Sequence, residues 1–192
     1  YLLMLRMDLW KGHSSVKVRL MARRHYHLAS GAPDPLANCS RVWMALRSIK
    51  REEGSPVRKL PVTPEMLQWV HETSSTHGDY GLVLRAALNT GYFFLLRAGE
   101  YVATKGQGWD PRTILLGRDI EFRREGKLAP LGSDPDEVTI RIRGSKTDQL
   151  NVGEVRNHFK SGAPERCVVT ALSALRLRFP ERFGDGAETH LP

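Results

Sequence analysis

The chain has 192 residues, 41% of them hydrophobic and 26% charged, which is ordinary for a globular protein and enough for one large domain or two small ones. No run of about 18 apolar residues is present, which excludes an apolar membrane-spanning segment, and the only cysteines, Cys39 and Cys167, lack metal-ligand spacing and imply a reducing compartment. The net charge of +8 is uneven: residues 1–60 hold 12 Lys/Arg against 4 Asp/Glu, and residues 61–192 hold 17 of each sign.

The N-terminal third reads as helical. Ser14 or Ser15 is a candidate cap for a helix over Val16–Ala29, with Val18, Met21, Ala22 and Ala29 as its apolar positions. Lys17, Arg19, Arg23, Arg24, His25 and His27 fill much of the rest. Ser30-Gly31-Ala32-Pro33-Asp34-Pro35 breaks that helix. A second helix is expected over Asn38–Glu53, with Val42, Ala45, Leu46 and Ile49 as its stripe and Arg47, Lys50 and Arg51 as a basic ridge. Residues 56–62, with Arg58 and Lys59, read as a basic linker between a helical unit over 1–55 and a second domain over 63–192.

Thr63-Pro64-Glu65 opens a further helix, with Thr as cap, Pro in the first turn and an acid at the positive end, ending near Ser74. An apolar helix follows over Tyr80–Asn89, with Asn89-Thr90-Gly91 expected to interrupt or end it, and then a helical piece over Phe93–Ala103. Past Gly106-Gln107-Gly108 the pattern changes to strands: Thr113–Leu116, Asp119–Phe122 and Val138–Arg143, with Val152–Phe159 as hairpin partner of the last. Cys167–Phe179 is a closing helix, stopped by Pro180. The expected class is mainly α with a small antiparallel β-sheet, an α+β fold.

The basic excess in the first third suggests a surface that meets a polyanion, with Lys17, Arg19, Arg23, Arg24, Arg47, Lys50, Arg51, Arg58 and Lys59 as candidate phosphate contacts. A second signal is Arg97, which follows the apolar run Tyr92-Phe93-Phe94-Leu95-Leu96. A guanidinium there needs a local acid or a ligand. Glu100, at i+3, is the local acid. His158, on a strand, reads as a packing residue, and His25 and His27 as solvent-facing ones.

Leu96-Arg97-Ala98-Gly99-Glu100 resembles the first arginine box of the tyrosine recombinases, the phage-integrase superfamily. Ser145-Lys146-Thr147-Asp148-Gln149, after a strand, resembles that family's hairpin lysine. Upstream, Gly31-Ala32-Pro33-Asp34-Pro35, a helix ending Ile49-Lys50-Arg51, and Arg58-Lys59-Leu60-Pro61-Val62-Thr63 look like the family's passage from a core-binding domain to a catalytic domain. The wording is most similar to recombinases of eukaryotic mobile elements such as cryptons. The match runs through almost the whole chain in order, and the order and spacing carry it rather than any one box.

The resemblance implies a helical DNA-binding domain and a catalytic domain that cleaves and rejoins DNA through a phosphotyrosine. It implies no cofactor or metal, double-stranded DNA as partner, a homo-oligomer on that DNA, and an intracellular site of action, the nucleus in a eukaryote. Arg97 would neutralise charge on the scissile phosphate, Lys146 would protonate the leaving oxygen, and Glu100 would hold Arg97. The chain departs from the family in two ways. Thr90-Gly91 lies six to seven residues before the arginine rather than beside it, and the arginine-to-lysine stretch is longer than in compact bacterial members. The family's second box, His-x-x-Arg, and its late tyrosine are absent. His190 precedes only Leu191-Pro192, and Tyr1, Tyr26, Tyr80, Tyr92 and Tyr101 all precede the hairpin. The expectation is therefore a fragment carrying part of a recombinase site. The alternatives are a catalytically dead DNA-binding derivative and a helical protein-interaction module with a basic face.

Overall fold

A computed structural model describes residues 12–55, 59–102, 112, 114–144, 148 and 152–184. The chain is mainly helical with one small four-stranded antiparallel sheet, as the α+β reading expects. It divides into two compact units, Tyr1–Leu60 and Pro61–Pro192.

Among the described residues, the first unit contains the helices α1 (His13–Ala29) and α2 (Ser40–Glu52). Its small core joins Val16 and Leu20 of α1 to Leu46 of α2, with Met21, Leu36, Val42 and Trp43 packed around them. The expected stripe of α1 is thus corrected. Val18, Ala22 and Ala29 are exposed, because Val16 and Leu20, at i and i+4, already form the line that meets α2. The helix also starts earlier than expected, at Gly12, whose extended backbone precedes the first turn, and no side chain caps it. Ser14 and Ser15 lie inside the helix. The far end closes on Gly31 in the left-handed region, with Ala32 N–H donating to the His27 carbonyl at 2.9 Å and Gly31 N–H to that of Leu28 at 3.1 Å. The following loop is held by Asp34, whose carboxylate accepts Leu36 N–H and Arg24 Nε. These two bonds, the Leu36 amide first, hold the Asp34 carboxyl below the ordinary carboxylate range.

The second unit begins with α3 (Pro64–Ser74), capped by Thr63, whose Oγ1 accepts from Met66 N–H. A single 3-10 turn, Ser75–His77, leads into α4 (Gly78–Phe93). This helix does not break at Asn89-Thr90-Gly91. Asn89 Nδ2 donates to the Arg85 carbonyl at 2.9 Å and Thr90 Oγ1 to that of Ala86 at 2.7 Å, so the helix takes up both donors, while Asn89 Oδ1 stays buried with no hydrogen-bond partner among the described residues. Gly91 is there for space. A Cβ at that position would stand 2.3 Å from the Tyr101 hydroxyl. The next helical piece is only α5 (Ala98–Tyr101), shorter than the sequence pattern suggests, because the chain turns between Phe94 and Arg97.

The sheet contains β1 (Ile120–Arg124), β2 (Lys127–Leu128), β3 (Glu137–Ile142) and β4 (Glu154–Phe159), in the order β2-β1-β3-β4. β2 is an addition to the expected strands. Ile114, Leu115 and Leu116 are buried as expected of a strand, yet they form none; Leu115 N–H donates to the Glu100 carbonyl at 2.7 Å instead. Ile120 and Phe122 of β1 and Val138 and Ile140 of β3 share one sheet face and form one core with Val169, Leu172 and Leu175 of α6 (Val168–Arg178) and Ala86 of α4. Arg176 lies over the Phe122 ring, 4.6 Å from its centroid, and covers the edge of that core.

Gly91→Ala tests whether space or helix propensity governs that position. Propensity alone would stabilise the helix by about 1 kcal/mol. Overpacking against Tyr101 outweighs it, and a net loss of about 1–2 kcal/mol is expected in urea denaturation.

Candidate functional site

Two of the sequence candidates, Arg97 and Glu100, stand just past the end of α4. Phe94 is buried, and Leu95 takes the left-handed conformation with φ of 55°. Leu96 N–H then reaches back to the Gly91 carbonyl at 3.0 Å and Phe94 N–H to that of Thr90 at 3.1 Å. This is a Schellman closure with leucine in the position glycine usually takes. The Leu95 side chain is 81% exposed, so its burial does not repay the backbone strain.

Arg97 follows in extended conformation (φ −74°, ψ 145°) and caps α5. It therefore stands at the start of a short helix, not at the end of a buried one. Glu100 holds it twice: the carboxylate accepts Arg97 N–H at 2.9 Å and Arg97 Nη1 at 2.8 Å. The expectation that Glu100 is the local acid is met in this geometry. The Glu100 side chain is 12% exposed and that of Arg97 56%. Nε and Nη2 of Arg97 have no protein partner among the described residues, so a ligand can accept from them. Tyr101 fixes the other end of α5 by packing into the core beside Gly91, and burial pushes its phenol up.

Arg97 lines a cleft of about 580 Å3 with Leu95, Glu100 and residues at the open end of β3 and β4. Gly144 and Asp148, which bracket Lys146 in sequence, line the same cleft. Lys146 itself, like Arg58, lies outside the described residues. The base of this hairpin is firmly built. Arg143 donates Nε and Nη2 to Asp119 at 2.8–2.9 Å, and buried Asp119 also accepts Leu116 N–H at 2.9 Å. Asp148 accepts Gly153 N–H at 2.9 Å. Gly153 has φ of 72°, and a Cβ on it would stand 2.5 Å from the Ile142 carbonyl oxygen.

A second guanidinium in the cleft, Arg156, is not among the sequence candidates. It donates Nη1 to the Phe94 carbonyl at 3.0 Å, and Nε and Nη2 to Glu154 at 3.0 and 2.6 Å. Its only sequence signal is its place on a strand that returns from the hairpin. Among the described lining residues, two guanidiniums face three carboxylates, Glu100, Asp148 and Glu154. His158 packs as expected, its ring edge-on to those of Phe93 and Phe94.

The remaining candidates belong to the first unit. Lys17, Arg19, Arg23, Arg47, Lys50, Arg51 and Lys59 are all exposed. Arg24 is exposed too, but it is tied to Asp34 at 2.8 Å and serves the loop after α1. Both cysteines are free. Among the described residues, no group of three or more His, Cys, Asp and Glu side chains is arranged to hold a metal ion, and no helix is long and apolar enough to cross a membrane.

No protein-family model matches the chain, and no curated protein matches it.

The strained turn beside Arg97 is open to measurement. Leu95→Gly removes the left-handed penalty at an exposed position and is expected to stabilise the second unit by up to about 1 kcal/mol. The change should read as a higher denaturation midpoint at unchanged m-value.

Proposed function

We propose that the chain binds double-stranded DNA as part of a tyrosine recombinase, with Arg97 on the scissile phosphate. The observation that carries this reading is the state of Arg97: its rotamer is fixed by Glu100, its Nε and Nη2 are left for a ligand, and it shares a cleft with the residues that bracket Lys146. A planar fork held from behind suits an equatorial phosphate oxygen and stays charged throughout.

In this mechanism a tyrosine hydroxyl, supplied from outside the described cleft, attacks phosphorus and gives up its proton to a base that is likewise supplied from outside that cleft. The phosphorus–tyrosyl oxygen bond forms as the bond to the 5′ oxygen breaks. Arg97 stabilises charge on the non-bridging oxygens, and Lys146 delivers a proton to the departing 5′ oxygen. The exposed cations of α1 and α2, together with Lys59, supply phosphate contacts that position the duplex without reading its sequence. The active assembly is an oligomer on DNA, in the nucleus if the source is eukaryotic. The three carboxylates among the described cleft residues favour a second reading, a DNA-binding derivative that does not cleave.

A titration of this chain with duplex DNA at increasing salt tests the binding. Affinity should fall steeply between about 50 and 200 mM salt, and replacing Arg47, Lys50 and Arg51 together by Gln should flatten the log–log slope by roughly 2–3. Salt-independent or absent binding would point to the protein-interaction module instead. In a protein carrying the nucleophile, Arg97→Ala should abolish cleavage and weaken duplex binding by less than about tenfold. Persistent cleavage would remove Arg97 from the mechanism.

A further inference from the structure

β4 is inverted relative to the hydrophobic rule. Its register places Arg156 opposite Ile140 and His158 opposite Val138, so both polar residues lie on the core-facing side of the sheet. Val155 and Phe159 lie on the other side, 63% and 67% exposed. A one-residue slip would bury Val155 and Phe159 and expose the polar pair. The strand forgoes that burial.

The partners of the two inward side chains explain why. Arg156 Nη1 donates to the Phe94 carbonyl at 3.0 Å. His158 Nε2 lies 2.8 Å from the Phe93 carbonyl oxygen, and since a carbonyl only accepts, that nitrogen carries a proton. Phe93 and Phe94 are the last residue and the cap of α4, where carbonyls have no partner within the helix. The Thr90 and Gly91 carbonyls are used by Phe94 and Leu96, which leaves those of Tyr92, Phe93 and Phe94, and the strand reaches the last two. A cation at this point also meets the negative end of the helix.

From this juxtaposition, and resting on the role proposed above for Arg97, we infer that Arg156 and His158 are positioning residues for Arg97. They grip the two carbonyls from which the turn Phe94–Arg97 departs, and so fix where the guanidinium stands in the cleft. Glu154 holds Arg156 from the solvent side, at 2.6 Å from Nη2, and completes the clamp. Through Glu154 and Arg156, β4 lines the same cleft as Arg97, Gly144 and Asp148.

Amide hydrogen exchange on the 192-residue chain tests this without DNA. Leu96 N–H and Arg97 N–H report the turn, through their bonds to Gly91 and Glu100. In Arg156→Met both should exchange roughly tenfold faster, while the amides between β1 and β3 keep their wild-type protection. Arg156→Lys, which keeps charge and one donor, should recover part of the protection. A merely global destabilisation would accelerate all these amides together, and that result overturns the inference. So does unchanged exchange at Leu96 and Arg97 in a folded Arg156→Met. Should that variant not fold, His158→Ala asks the same question at the Phe93 carbonyl, and unchanged turn amides there also overturn it. The Arg97 Nε–H resonance on addition of a DNA duplex reads the underlying function separately. If it does not move in the wild type while that of Arg47 does, Arg97 has no phosphate role, whatever the exchange data show about the clamp.

Discussion

The carbonyl end of α4 has to be satisfied inside the second unit, and that requirement organises everything around it. Four carbonyls at a helix end have no intrahelical donor. Here three of the carbonyls, those of Gly91, Phe94 and Phe93, are met by a Schellman closure, an arginine and a histidine. The closure forces Leu95 into the left-handed region. The register of β4 brings both side chains to this helix end, and through them the sheet meets the helix that leads to Arg97.

Much of the architecture is legible in the sequence because it follows from local rules. Thr63-Pro64-Glu65 marks a helix start that the structure keeps, with the bond to Met66 that the residue types suggest. The alternation in Val138–Arg143 marks a half-buried strand, and β3 occupies it. Glu100 is legible as the partner of Arg97 because the two sit at i and i+3, although the helix that carries them is shorter than the pattern suggests. What fails does so for tertiary reasons. Gly91 reads as a helix stop, but the close approach of Tyr101 is what requires it. Val18 reads as core, yet the line from Val16 to Leu20 is the one that finds α2. Arg156 gives no local signal, since its significance depends on a carbonyl 62 residues away.

The charge pattern separates along the same boundary as the contacts. The chain divides at Leu60 and Pro61, and the whole excess of positive charge lies before it. In the second unit most described cations are already engaged: Arg143 with Asp119, Arg156 with Glu154, Lys160 with Asp134 and Arg178 with Asp79. In the first unit the Arg24–Asp34 bond closes a loop, while the ridge on α2 stands in solvent. Among the described residues, the exposed basic ridge and the Glu100-held guanidinium of Arg97 therefore lie in different units.

The inverted strand also has a cost in solution. β4 is the last of the described strands in the sheet, so among the described residues one of its edges carries no neighbouring strand, and Val155 and Phe159 are exposed next to it. An open edge with apolar residues on the same strand is the geometry by which sheets add further strands and chains stick together. Glu154 at one end and Lys160 just beyond the other supply charges that discourage such stacking. The strand that carries Arg156 and His158 is thus also the one whose edge and apolar residues are open to a further strand.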